Sequence, residues 1–284
     1  MSVEKAIEMY KTGGMVPWTK GYGEYKDQQF DLALADWKLQ EMFRSGDQLP
    51  AKFAYRVDER VCEYSWIFAK MNPDANCILD AGSCFSKEAM VNNRFLKDKR
   101  IIIYTLDTDW MGLDPRISYI FGDFREMVLR DKSVDVISCI STLEHVGMGQ
   151  DYRIYNISNH ASHQDVFAYR EVLSEFGRVL TPGGQLLITM PYGKRENHGW
   201  LFQNDEESLK DVIRSFPGEL VTMQFYRYHN DQWQSATAEE CAECTYFNLH
   251  ASNCYDEDYA AAARSIVCLE FRRNKSYGLE NYGR

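Results

Sequence analysis

Apolar and polar positions change period along this chain, and the change divides it. Between residues 31 and 71 apolar side chains recur with helix-like spacing: Leu32, Leu34, Trp37, Leu39, Met42 and Phe43, then Val61, Tyr64, Ile67 and Phe68. That spacing predicts helices over 31–43 and 58–71, the second stopped by Asn72-Pro73-Asp74. From residue 77 short apolar runs alternate with helical periodicity. Strands are predicted over 77–80, 101–107, 118–121, 134–140, 185–190, 220–228 and 265–272, and helices over 87–97, 165–180 and 205–213. Thr181-Pro182-Gly183-Gly184 reads as a turn. Strands alternating with helices predict an α/β fold, a doubly wound, mostly parallel sheet with helices on both faces. Residues 1–72 then form a helical N-terminal extension, 73–274 the sheet-bearing domain with an inserted loop over 147–164, and 275–284 a frayed tail.

Composition narrows the possible partners. The 284 residues carry 42 acids against 32 Lys and Arg, a net charge of −10, which argues against a nucleic-acid backbone as partner. No apolar run approaches membrane-spanning length. No basic segment followed by an apolar one opens the sequence, so a cytoplasmic protein is expected. The eight cysteines are scattered, several of them inside apolar runs, and read as reduced core thiols rather than a disulfide scaffold.

The predicted strand over 77–80 ends in Asp80 and runs into Ala81-Gly82-Ser83, then a helix start. Open α/β sheets bind nucleotide-like ligands at such a turn. No Gly-Lys-Ser/Thr follows, which excludes a P-loop, and the full Gly-x-Gly-x-x-Gly of a pyrophosphate turn is missing. The next strand also ends in an acid, Asp107. Two strand-end carboxylates point to a cofactor with hydroxyls and an amine rather than one with phosphates. Gly122-Asp123-Phe124 after the third strand offers a carboxylate for an exocyclic amine and a ring for a purine face.

These pieces, with Asp135-Val136-Ile137 through Glu144-His145-Val146 and Arg178-Val179-Leu180-Thr181-Pro182-Gly183-Gly184-Gln185-Leu186, occur in the order found in class I S-adenosylmethionine-dependent methyltransferases, which the chain resembles over residues 77–191. The resemblance implies a seven-stranded sheet whose last strand, over 265–272, is antiparallel. It implies S-adenosylmethionine as cofactor. Asp80, Ala81, Gly82 and Ser83 would line its methionine moiety, and Asp107 would take the ribose hydroxyls. Asp123 would take the adenine amine with Phe124 beside the ring, and Ser141 and Thr142 would border the cofactor. The helix bearing Arg60, Glu63, Tyr64 and Trp66 is similar to one that closes over the cofactor, making Tyr64 a contact, while Trp66 reads as packing. Where the family's loop has a second glycine, this chain has Cys84.

The implied activity is methyl transfer to a small-molecule acceptor, an oxygen of a sugar or sugar nucleotide, as in bacterial sugar, polysaccharide and natural-product methyltransferases. The alternatives are N-methylation of a small amine and a non-catalytic cofactor-binding module; a homo-oligomer is compatible with either. Glu144-His145 follows a central strand. In one reading His145 is the general base on an acceptor hydroxyl, because imidazole titrates near neutral pH; in the other the pair is structural. The loop over 147–164 is longer than such a connection needs and supplies Tyr152, His160 and His163. His163 is a second candidate base, and Tyr152 and His160 are candidate acceptor contacts. Tyr192, Lys194 and Arg195, with His198 and Trp200 beyond, sit where such folds build the acceptor site. Two clusters have metal-like composition: His160, His163 and Asp165, and Cys241 and Cys244 with His250 and Cys254. The first reads as a polar loop capping a helix and the second as buried thiols, so no metal is expected.

Overall fold

A computed structural model describes residues 1–86, 88–106, 114–148, 164–252 and 254–275. Strands β1 (Cys77–Ala81), β2 (Arg100–Thr105), β3 (Ile117–Phe121), β4 (Val134–Ile140), β5 (Leu180–Pro191), β8 (Gly218–His229), β9 (Gln232–Ala236) and β10 (Ser265–Arg273) form one sheet in the order β3-β2-β1-β4-β5-β10-β8-β9. Strands β1 to β5 are parallel, and β10 runs antiparallel between β5 and β8. Two short strands, β6 (Glu196–Asn197) and β7 (Phe202–Gln203), pair apart from it.

The sheet has eight strands, not the seven expected. The extra one is β9, joined to β8 by Asn230 and Asp231, both at positive φ (52° and 62°). Two consecutive left-handed residues make the tight turn whose twist suits a hairpin. The outer edge of β9 is covered by the chain before residue 58: Trp233 N donates to Phe53 O (3.0 Å) and the Trp233 indole to Val57 O (3.0 Å). Covering removes an unpaired sheet edge.

Helices α1 (Val3–Thr12), α2 (Tyr22–Ala35), α3 (Trp37–Ser45) and α4 (Arg60–Lys70) lie on one face of the sheet, and α6 (Tyr169–Val179) and α7 (Glu206–Ser215) on the other. Between them come the single turns α5 (Glu88–Val91) and α8 (Ala238–Cys241). Helix α4 is buried nearly all round, with Trp66 and Ile67 wholly enclosed. The helix predicted over 31–43 is two helices broken at Asp36, whose Oδ1 accepts from Lys38 N (2.9 Å) and Leu39 N (3.2 Å). An aspartate that caps one helix ends the one before it. The helix predicted over 87–97 stops after one turn, where Asn93 Oδ1 accepts from Phe95 N (3.0 Å), a side-chain bond that competes with helical backbone bonding. The helix predicted from 165 starts at Tyr169, because Asp165 Oδ1 holds Phe167 N (2.9 Å) in a turn. No described helix is long and apolar enough to cross a membrane.

Candidate active site

The carboxyl ends of β1 and β4 meet in a loop built around one glycine. Asp80, fully buried at the end of β1, uses Oδ2 to accept from Phe85 N (2.6 Å) and so closes the loop on itself. Its Oδ1 has no hydrogen-bond partner among the described residues, and burial, opposed by the Phe85 and Cys84 amides, pushes its carboxyl up to about 7. Gly82 has φ +123°, and a Cβ there would lie 2.2 Å from Thr142 Oγ1. Ser83 follows at φ 67°. A backbone this bare, beside a buried carboxyl with an unused oxygen, fits close approach of a small cationic or hydroxyl-bearing ligand. Asp107 lies outside the described residues.

At the tip of β3, Asp123 caps a 3₁₀ turn (Phe124–Glu126) and binds Arg125 through both oxygens, with Nη2–Oδ2 at 2.5 Å. Burial opposes its ionisation, but the Arg125 guanidinium and amide hold it below the usual carboxylate range. Phe124 is turned into the core against Tyr104 and Phe176, with centroids 5.7 and 6.0 Å away. It therefore presents no free ring at the strand tip.

Beyond β4 the chain turns sharply at Ser141, which has φ 37°. Its hydroxyl donates to Glu63 Oε1 (2.5 Å), and Thr189 Oγ1 on β5 donates to the same oxygen (2.7 Å). The other Glu63 oxygen binds Arg60 Nη1 (2.5 Å). Glu63 is wholly buried. One carboxylate on α4 thus pins two strand ends and a cationic side chain together. A left-handed serine persists only where its surroundings over-determine it, and such positions concentrate at functional sites.

Arg60, Tyr64 and Ser141 open onto a cavity of about 270 Å³. Its floor includes Glu144 and His145, from the 3₁₀ turn Leu143–His145 after β4. The walls come from far apart in sequence: Trp18, Lys26, Asp58 and Glu59 from the N-terminal region, and Tyr246 and His250 from the excursion between α8 and β10. The two walls are tied, since the Trp18 indole donates to Ala261 O (3.0 Å) and Tyr255 OH to Pro17 O (2.8 Å). Lys26 is fully engaged, on Asp58 Oδ2 (2.8 Å) and over the Trp18 ring (5.0 Å). His145 stacks on Trp200 (5.3 Å, 20°), and its Nδ1 lies 2.8 Å from the Trp200 carbonyl oxygen. A carbonyl only accepts, so Nδ1 carries the proton and Nε2 keeps its lone pair. Burial first, then the Arg60 charge, lowers the His145 pKa against the pull of that bond. Burial pushes Glu144 up to about 8, and burial with the adjoining Asp58 carboxylate does the same to Glu59.

The structure brings Tyr64, Ser141, Glu144 and His145 together at this cavity, with Trp200 and His250. It does not bring in Tyr192, Lys194 or Arg195. Tyr192 is buried against Phe225 (4.9 Å), Lys194 is exposed, and exposed Arg195 lies over Phe202 (5.2 Å). Tyr152, His160 and His163 lie outside the described residues. Cys241 and Cys244 are buried thiols, Cys241 pushed up to about 12 by burial. Among the described residues no cluster of three or more His, Cys, Asp or Glu could hold a metal ion. Trp18, Lys26, Asp58, Glu59 and Tyr246 carried no sequence signal as site residues, because only tertiary packing places them around one space.

Residues 106–188, which include β3, β4, the Glu144-His145 turn and the start of β5, match the family described as methyltransferase domain. That stretch is a methyltransferase domain. S-adenosylmethionine is its cofactor, and S-adenosylmethionine-dependent methyl transfer is its activity. No curated protein matches the sequence. Among solved structures the methyltransferase is similar to the 1,6-didemethyltoxoflavin-N1-methyltransferase of Burkholderia thailandensis, at 15% identity over 70% of this chain and 71% of that one, TM-score 0.43. It is similar to geranyl diphosphate C-methyltransferase of Streptomyces coelicolor at 12% identity, over 72% of this chain and 74% of that one, TM-score 0.46. The N-methyltransferase NodS of Bradyrhizobium japonicum gives 13% identity over 70% and 86%, TM-score 0.42.

Proposed function

We propose that this methyltransferase acts on a hydroxyl of a small, polar acceptor, a sugar or sugar nucleotide, held in the cavity beside His145. The observation that carries this reading is the His145 imidazole itself: a neutral ring, locked in one tautomer by the Trp200 carbonyl, on the wall of the cavity. The cofactor supplies a methyl group on a sulfonium centre, already electrophilic. What an oxygen acceptor still needs is somewhere for its proton to go, and Nε2 of His145 is a base able to take it. An ammonium acceptor would need a base before transfer as well, but a neutral amine would need none. Stacking on Trp200 holds the imidazole plane, and transfer of this kind depends on alignment as much as on basicity.

On the cofactor side, Asp80 fixes the loop while Gly82 leaves space for the methionine moiety, with Ala81 and Ser83 alongside and Asp107 on the ribose hydroxyls. Asp123 is the adenine-side carboxylate, already oriented by Arg125. Residues 1–72 act as the wall that shuts the cofactor and acceptor away from water, through Trp18, Lys26 and Tyr64. Aromatic rings and carboxyl groups around one space suit a polyhydroxylated ligand, which stacks its apolar face and donates from its edges.

The test is transfer of an isotopically labelled methyl group from S-adenosylmethionine to a panel of sugars and sugar nucleotides, with the pH profile of wild type and His145→Gln compared. We expect the wild-type rate to rise through a limb below the ordinary histidine range, and the variant to lose that limb and about 10²-fold or more in rate. Failure of the protein to bind S-adenosylhomocysteine, or a variant with unchanged rate and profile, refutes the reading.

A further inference from the structure

When the charges around the cavity are matched, two carboxyl groups are left over. Lys26 is paired with Asp58 (2.8 Å) and Arg60 with Glu63 (2.5 Å). Glu59 and Glu144, each 5% exposed, form no ion pair among the described residues, and the Oε2 of each is enclosed without a hydrogen-bond partner. They come from different elements, Glu59 at the start of α4 and Glu144 from the turn after β4, and both line the cavity. Tyr246 lies near both, for after burial their two charges are the next influences on its hydroxyl. Enclosing two carboxyls with unused acceptors costs stability, and such groups persist where a ligand completes them.

Of the residues assigned to the cofactor, Tyr64 and Ser141 line this cavity, whereas Asp80–Ser83, Asp123 and Phe124 do not. A neutral polyol would complete the hydrogen bonds but give neither carboxyl a reason to ionise, whereas a cation docked between them favours loss of their protons. A primary ammonium meets that need: it has three donors for the carboxyl oxygens, in a space that the Trp200 and Tyr246 side chains also line.

We propose that Glu59 and Glu144 form an ammonium subsite, so that the acceptor is an amino-polyol whose protonated amine docks there while a neighbouring hydroxyl meets His145. The inference rests on the cavity being the acceptor site. A protonated amine has no lone pair, so it anchors the acceptor and the hydroxyl oxygen is the nucleophile. In the transfer the new C–O bond forms as the C–S bond breaks, its electron pair staying on sulfur, and the hydroxyl proton passes to His145 Nε2.

The experiment is calorimetric titration of the full chain, loaded with S-adenosylhomocysteine, with glucosamine, galactosamine and mannosamine, each against its N-acetyl form. We expect at least one amine to bind about tenfold or more tightly than its amide. In Glu59→Gln/Glu144→Gln that preference disappears, while affinity for S-adenosylhomocysteine stays within about twofold, which also shows that the variant is folded. No amine binding better than its amide, a preference that survives in the double variant, or methylation found on nitrogen overturns the subsite. If S-adenosylhomocysteine itself does not bind, the functional reading fails first and this inference falls with it.

Discussion

Replacing Glu63 with leucine removes the one acceptor shared by Ser141, Thr189 and Arg60. Leucine is close in size, so the change tests polar bonding rather than volume. Each hydroxyl is buried and loses its carboxylate partner, at about 1 kcal/mol apiece. Arg60, with 27% of its side chain exposed, keeps some water but loses a charge-assisted bond to a wholly buried partner, worth roughly 1.5–3 kcal/mol. The sum is about 3–5 kcal/mol, or roughly 6–20 °C in Tm for a chain of this size. Glu63→Gln keeps an oxygen for both hydroxyls but turns an amide NH2, which cannot accept, toward Arg60 and loses that charge-assisted bond, so roughly 1.5–3 kcal/mol is expected. Urea unfolding followed by tryptophan fluorescence measures both. A loss under about 1 kcal/mol for the leucine variant, or no difference between leucine and glutamine, would show that the strand tips do not depend on this carboxylate.

Three further outcomes follow from the same structure. Gly82→Ala places a methyl group 2.2 Å from Thr142 Oγ1 at a φ of +123°, so calorimetry should find S-adenosylhomocysteine affinity down about tenfold or more and stability down by about 1–3 kcal/mol. Glu59 and Glu144 keep their protons up to about 8 in the folded chain, against an ordinary value of 4.5. The native state therefore binds more protons than the unfolded one across that window, so stability falls as pH rises from about 4.5 to 8, and Glu59→Gln/Glu144→Gln should flatten the fall in urea titrations at several pH values. Asp36→Ala removes the cap between α2 and α3 and should cost about 1 kcal/mol in the same unfolding assay without altering cofactor binding.

Seven of the eight sheet strands were legible because each announced itself locally: an apolar run, then an acid or a turn. The strand from Val134 to Ile140 needed no neighbour to be recognised. The hairpin strand β9 was not legible, because its turn is Asn230-Asp231 rather than a glycine-bearing pair and only Trp233 and Ala236 of its residues are apolar. Helix ends misled where a side chain competes with the backbone, at Asp36, Asn93 and Asp165. Glu144, His145 and Tyr64 could be singled out because they sit beside ordered motifs. Nothing local marks Trp18 or Tyr246, which join the cavity only when residues 228 positions apart pack together. The acceptor side was therefore the part least open to reading from the chain alone.

The contact of Trp18 with Ala261 spans 243 positions. The sheet is thus clasped by two pieces of chain, far apart in sequence, that meet over one cavity. On the proposed reading of that cavity, exchange of either piece changes what is methylated. New acceptor preferences within this architecture should accordingly arise by replacement before residue 60 and between residues 242 and 264, not by drift in the strands.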